Sequence, residues 1–265
     1  MSINNTVLII GATSGIGEGL ARAIHAQGKN VIAVGRRQDR LRALASELPG
    51  LGTSCFDFSD ITSLPAAFKD ITSKYPDLDT VIVSAAVQGF FDYKDPNSSS
   101  PSSIIKEVTT NITAPTVLSQ VVVPFFLASN KPCSIIFITS GFSFVPVPFF
   151  PVYSATKAAL QSFSIALRAQ LADTNIQVTT LCPSYVATEL DKEFKDKLLA
   201  LLGGPDKAPP ATSLDDFIKD AMIGLDEKKG GKPVNEVAVG AFPQQLQTSW
   251  RNAFGPALEM FHVKG

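Results

Sequence analysis

The sequence predicts a single α/β domain, a Rossmann-like doubly wound parallel sheet of about seven strands with helices on both faces. Three observations carry that expectation. Short apolar, β-branched runs recur along the 265 residues and alternate with longer segments of helical period. The runs are apolar on both alternating faces, as strands covered by helices on each side must be. The first of them, Thr6-Val-Leu-Ile-Ile10, leads straight into a glycine-rich turn and then a helical pattern. No repeat or composition break divides residues 1–265, so one domain is expected.

The elements follow in order. A helix through Leu20, Ile24 and His25 precedes a second strand, Asn30–Gly35, and a helix over 37–48. A third strand is expected at 52–56, a helix at 61–75 and a fourth strand at 78–84. Residues 89–103 are turn-rich, with serines suited to a connector or helix cap. A long helix over about 103–128, a fifth strand over 133–139 and a helix ending near Ala172 come next. The sixth strand is expected at 176–182, a short helix near 191–202, another at 214–227 and a last strand at 234–239. The irregular stretch 189–213 has the length of a substrate lid. The tail, 244–265, carries Trp250, Phe254 and Phe261 and is expected to pack on the body or on a partner subunit.

Composition narrows the functional classes. A formal charge of -1 gives no support for nucleic acid or an acidic membrane surface. Cys55, Cys133 and Cys182 lack metal or disulfide spacing, so no metal is expected; Cys55 and Cys133 read as small buried hydrophobes. No secretory signal is apparent, no stretch reaches the length of a membrane span, and Val263-Lys264-Gly265 is not an address signal, so a cytoplasmic location is expected.

The turn Gly11-Ala-Thr-Ser-Gly15-Ile-Gly17 sits between strand and helix, where a backbone free of side chains can approach a pyrophosphate. The second strand ends at Gly35 rather than at an acid, and Arg36-Arg37 follow. A missing carboxylate and a guanidinium fork favour the 2′-phosphate of NADP(H) over NAD(H). Asp57, past the third strand, either accepts a bond from an adenine amino group or caps the next helix. Chemistry concentrates in Pro151-Val-Tyr-Ser-Ala-Thr-Lys157, where Tyr153 and Lys157 are one helical turn apart. An ammonium there is expected to lower the phenol's pKa. Ser140, at the end of the fifth strand, can hold a carbonyl oxygen while the phenol delivers a proton. Phe142 to Phe150 form a stiff aromatic loop beside them, a wall for an apolar substrate.

Together these residues resemble the short-chain dehydrogenase/reductase family over essentially the whole chain, and its DltE-like subgroup in Glu47-Leu-Pro-Gly, Lys74-Tyr-Pro-Asp-Leu-Asp and Ser140-Gly-Phe-Ser-Phe-Val-Pro. The resemblance implies a catalytic tetrad of Asn111, Ser140, Tyr153 and Lys157, with Asn111 holding a proton-relay water and Lys157 the nicotinamide ribose. It implies cofactor contacts from Gly11, Thr13, Ser14, Gly15, Ile16, Gly17, Arg36, Arg37, Asp57, Ser84, Ala85, Asn111, Tyr153, Lys157, Pro183, Val186 and Thr188. Substrate contacts are expected from Phe142, Phe149 and Tyr185. The implied activity is NADPH-dependent reduction of a ketone or aldehyde, or its reverse, on a small carbonyl compound, in a homodimer or homotetramer. A non-redox enzyme on the same fold and a nucleotide-sensing binding protein are the alternatives. The chain departs from the family pattern at Ile10, at Ser84-Ala-Ala-Val87 and at Ser184.

Overall fold

The structure, a computed structural model, describes residues 3–95 and 97–261; Met1, Ser2 and the terminal Val263-Lys264-Gly265 lie outside the described residues. Strands β1 (Thr6–Ile10), β2 (Asn30–Gly35), β3 (Gly52–Cys55), β4 (Thr80–Val83), β5 (Cys133–Ile138) and β6 (Ile176–Pro183) alternate with helices α1 (Gly15–Ala26), α2 (Gln38–Glu47), α3 (Leu64–Lys74), α4 (Pro101–Val108), α5 (Ala114–Leu127) and α6 (Pro151–Gln170). Then come α7 (Lys195–Leu201), α8 (Leu214–Asp226), a two-residue pair β7 (Lys228–Lys229) and β8 (Lys232–Pro233), β9 (Glu236–Val239) and α9 (Ala241–Met260). The main sheet is seven-stranded and parallel, in the order β3-β2-β1-β4-β5-β6-β9.

Alternation along each strand sorts the core into two layers. Val7 and Ile9 of β1 and Ile136 of β5 join one layer with Leu20 and Ile24 of α1 and Phe217 of α8. Leu8, Ile10, Ile135 and Phe137 join the other with Phe68 of α3, Phe126 of α5 and Leu160 of α6. The order reverses between β1 and β4, which start from the same centre and step outward in opposite directions. That reversal opens a crevice at the carboxyl ends of β1 and β4.

The expected long helix is two helices joined by one wide π turn, Thr109–Thr113. It starts two residues earlier than expected because Ser100 and Ser103 form a reciprocal capping box ahead of Pro101. Contrary to the sequence expectation, Pro101–Leu127 is long and apolar enough to span a membrane by length and composition. Its inner face, however, carries Glu107, Asn111, Leu118 and Phe126 into the protein. A second correction concerns Cys55: it is exposed near the sheet edge, whereas Cys133 and Cys182 are buried. β3 is the edge strand and alternates, so Cys55 falls on its outer face. The tail forms α9 and packs on the body, with Trp250 against Phe144 at 6.0 Å and Arg251 bonded twice to Glu236.

Candidate active site

The glycine turn is built to be empty of side chains. Gly11 has φ +91°, and a Cβ there would sit 2.5 Å from the Ala85 amide nitrogen. A methyl on Gly17 would overlap the Gly11 carbonyl. The turn is thereby pressed against the exit of β4, and α1 begins immediately beyond it with Ser14 at its N-cap. Backbone amides and a helix N-terminus facing an open crevice suit an anion such as a pyrophosphate.

Positive charge collects beside the turn. The Arg37 guanidinium donates to Thr13 Oγ1 at 2.9 Å and to Ser14 Oγ at 2.6 Å. Gly35 leaves room for this, since any side chain there would collide with Thr13. Arg36 turns the other way, toward Asp57, at 3.8 Å. Asp57 accepts from the Ser59 amide at 2.9 Å and from its hydroxyl at 2.7 Å, while Ser63 takes the N-cap of α3. Burial raises the Asp57 pKa, but the Ser59 hydrogen bonds and Arg36 outweigh it and the net shift is downward.

Two residues of this charge cluster were not anticipated. Arg40, one turn after Arg37 on α2, donates to Glu189 at 2.7 Å and 3.0 Å, and Arg37 reaches the same carboxylate at 3.2 Å. Hydrogen bonds from Arg40 and then Arg37 hold the Glu189 carboxyl down at about 2. Glu189 follows Thr188, whose side chain lies against Gly15. The segment after β6 thus crosses the crevice and is tied to its basic wall. Only the i, i+3 spacing of Arg37 and Arg40 hinted at this in the sequence.

The four residues of the expected tetrad come together at the carboxyl ends of β4 and β5. Ser140 lies two residues past the end of β5 and caps the short turn Gly141–Ser143. Tyr153 and Lys157 occupy successive turns of α6, with Lys157 Nζ 5.5 Å from the Tyr153 ring centre. Both are buried, and the ammonium donates to the Ile138 carbonyl at 2.8 Å. Burial lowers the Lys157 pKa to about 8. The expectation that Lys157 depresses the Tyr153 pKa is not met. Burial raises it well above the ordinary phenol range, the neighbouring Ser140 hydroxyl recovers only part, and Lys157 is not among the groups that shift it. Desolvation of a phenolate outweighs an ammonium whose proton is directed at a backbone carbonyl.

Asn111 lies in the π turn. Its side chain accepts from the Val87 amide at 2.9 Å and donates to the Val87 carbonyl at 2.8 Å and to Thr156 Oγ1 at 3.1 Å. Both amide hydrogens are therefore committed to protein, and the side chain acts as a brace rather than as a free hand for water. The brace steadies the exit of β4, where the chain carries Ser84-Ala-Ala-Val87. Ser84 continues the ladder through Ile10, and Val186 bridges to Thr212 beyond Pro183.

Over Tyr153 sits an aromatic cluster. Phe150 and Phe194 are buried with the phenol, and Phe90, Phe142 and Phe149 pack around them. Phe90 stacks on Phe149 at 6.2 Å, Phe150 meets Phe194 at 5.3 Å, and Lys197 caps the Phe90 ring at 4.4 Å. Phe194 and Lys197 come from the 189–213 stretch, which sets Phe194 beside the phenol; Phe194 itself was not anticipated. Tyr185 stands apart, its hydroxyl donating to Asp191 at 2.5 Å.

This geometry has relatives. The family model described as short chain dehydrogenase matches residues 5–199. The chain belongs to the short-chain dehydrogenase family. Among curated relatives it is 36% identical over 228 residues to the uncharacterized oxidoreductase DltE of Bacillus subtilis strain 168, covering 85% of this chain and 86% of that one. A short-chain dehydrogenase of Streptomyces avermitilis shares the fold with a TM-score of 0.78 at 19% identity, over 98% of this chain and 97% of the other. A Sphingobium yanoikuyae short-chain dehydrogenase, solved with NADPH, gives a TM-score of 0.77 at 25% identity over 99% and 97%. The sheet order is that of the short-chain dehydrogenase fold, and the protein is an oxidoreductase of that family.

Because Asn111, itself buried, satisfies two backbone groups of the half-buried Val87 loop, Asn111→Ala should lower stability by about 2 kcal/mol or more. Tyr153→Phe, which removes no backbone partner, should stay within about 1 kcal/mol of the wild type. Urea denaturation of the two variants side by side checks the difference.

Proposed function

We infer that the protein is an NADPH-dependent reductase of apolar ketones or aldehydes. The observation that carries this is the pairing of a buried, neutral Tyr153 with Ser140 under an aromatic cover, at the carboxyl edge that faces the glycine turn. A phenol kept protonated across neutral pH is suited to give a proton, not to take one.

The residues fit a dinucleotide. Gly11 and Gly17 leave a cradle that a Cβ would fill, and Thr13, Ser14 and Arg37 stand beside it, hydrogen-bonded to one another. When bound there, NADPH would supply a hydride for the carbonyl carbon. Arg36 and Arg37 would receive its 2′-phosphate, and Thr188 and Lys157 would hold its nicotinamide end. Ser140 donates to the substrate's carbonyl oxygen. Tyr153 passes its phenolic proton to that oxygen as negative charge develops on it. The Lys157 ammonium, which donates to the Ile138 carbonyl rather than to the phenol, would act on the cofactor's nicotinamide end, and the ring-lined cover excludes water. The rings favour a substrate with an apolar, ring-bearing body.

A homodimer or homotetramer completes this reading. Ile105 and Val108 are exposed on α4, next to an apolar hollow lined by Ile104, Ile112, Val152 and Ala155, and a second copy would cover them.

With a panel of aryl and alkyl ketones, the wild type should oxidise NADPH in step with substrate. Tyr153→Phe should still bind NADPH yet lose on the order of 10²- to 10⁴-fold in kcat. Turnover at the wild-type rate in that variant would remove the assignment. Lys157 assists as an ammonium with a pKa of about 8, so the reduction rate should be flat below that pH and fall above it. Removing both guanidinium groups (Arg36→Ala with Arg37→Ala) should cut kcat/KM for NADPH by about tenfold to a hundredfold, with NADH much less affected. Equal losses for both cofactors would count against the 2′-phosphate role. Light scattering should report more than one subunit in the wild type and a smaller assembly for Ile105→Glu.

A further inference from the structure

Glu107 is a carboxylic acid that the mechanism above leaves unused. It lies on α4 one turn before Asn111 and is 1% exposed. Its Oε2 accepts from the Gly89 amide at 2.9 Å, while its buried Oε1 has no hydrogen-bond partner among the described residues. A buried carboxyl oxygen left unpaired is costly unless charge nearby meets it or a proton neutralises it. Helix α4 packs against α6, and Asn111, one turn beyond Glu107, bonds Thr156 of α6, the residue before Lys157, at 3.1 Å; this docks the Glu107 end of α4 on the part of α6 that carries Tyr153 and Lys157.

The charges around it are few. The β4 exit, residues 84–91, carries no ionisable side chain. From β5 comes Ser140, which is neutral. Cys182 of β6 faces Lys157, but burial pushes its thiol up to about 12, so it is uncharged in the neutral range. On α4 itself, Lys106 acts on Asp57. Burial raises the Glu107 carboxyl to about 7, against the pull of the Gly89 amide and of Lys157. Burial lowers Lys157 to about 8, and the Glu107 carboxylate opposes that fall. Each group's charged form lowers the cost of charging the other.

We propose that Glu107 is a positioning residue for Lys157: its carboxylate is the counter-charge that favours the ammonium form of the buried lysine, while its other oxygen fastens the Gly89–Phe90 loop to the same point. The residue does not touch the reacting atoms. It acts through Lys157, and the proposal rests on the reductase reading for its catalytic meaning, though not for its electrostatics.

Glu107→Gln separates the two duties, because the amide oxygen can still accept from Gly89 but carries no charge. Carbon NMR of isotopically labelled lysine, with the Lys157 resonance assigned from Lys157→Met, reads the ammonium directly and needs no substrate. The Lys157 titration should move about one pH unit lower in Glu107→Gln, and the alkaline fall in kcat should move with it while KM stays within about threefold. Glu107→Asp, which keeps the charge, should restore the titration most of the way. A lysine titration that stays put in Glu107→Gln overturns the proposal and leaves Glu107 as a loop anchor. Should Glu107→Gln not fold, the same coupling is read from the other side. Reciprocity requires that Lys157→Met raise the Glu107 titration by a like amount, and an unmoved Glu107 is equally fatal. If the wild type reduces no carbonyl compound, the reductase reading falls, and the lysine titration still decides the role of Glu107.

Discussion

Burial of the central strands on both faces is the constraint from which the site follows. Val7, Leu8, Ile9 and Ile10 are all shielded, as are Val81 to Val83 and Ile135 to Ile138. Polar chemistry cannot be placed along such strands without leaving groups unpaired. It can only be placed where they end. The carboxyl ends of β1, β4, β5 and β6 accordingly deliver the glycine turn, the Asn111-braced loop, Ser140 and the Thr188 segment. The order reversal between β1 and β4 leaves the gap between them open to a ligand.

The same dryness sets the charges at the centre. Lys157 and Tyr153 are removed from water, so each is pushed toward its neutral form, the lysine down and the phenol up. For a proton donor this is useful, since the phenol stays loaded. For a lysine it is a difficulty, because burial favours the neutral amine over the ammonium. The Ile138 carbonyl answers that difficulty in part by accepting from Nζ, and a buried carboxylate nearby answers it further. An ionisable group without a bonded partner, such as Oε1 of Glu107, therefore has meaning only when the whole set of buried charges is taken together.

Much of this was legible in the sequence. Strand positions came from apolar runs, because two-sided burial permits almost nothing else. The glycine turn and the Tyr153–Lys157 spacing came from local rules, a helical turn and a backbone that must approach a ligand. What was hidden depends on long-range contact. Glu107 lies 50 residues before Lys157 in the chain, and Glu189 lies 149 beyond Arg40, so no local pattern joins them. The π turn at Thr109–Thr113 had no signal either, since its residues suit an ordinary helix. The sign of the Tyr153 shift went wrong for a related reason. Spacing shows that a charge is near, but only the packed structure shows how much water has been lost.

On the activity proposed above, the aromatic cover would turn this dryness into selectivity. Phe90, Phe149, Phe150 and Phe194 contact one another at ring separations of 5.3 to 6.3 Å over the phenol. A substrate that reaches Tyr153 must replace some of those contacts with its own. An apolar ring exchanges one ring contact for another and keeps water away from Lys157. A polar, hydrated body would have to shed its water and find few partners, since the cover supplies rings and the single ammonium of Lys197, which is already set over Phe90. Under the proposed activity, selection in this site would come from what the wall cannot hydrogen-bond, and the group that the substrate would offer is the one carbonyl oxygen for which Ser140 and Tyr153 would be the donors.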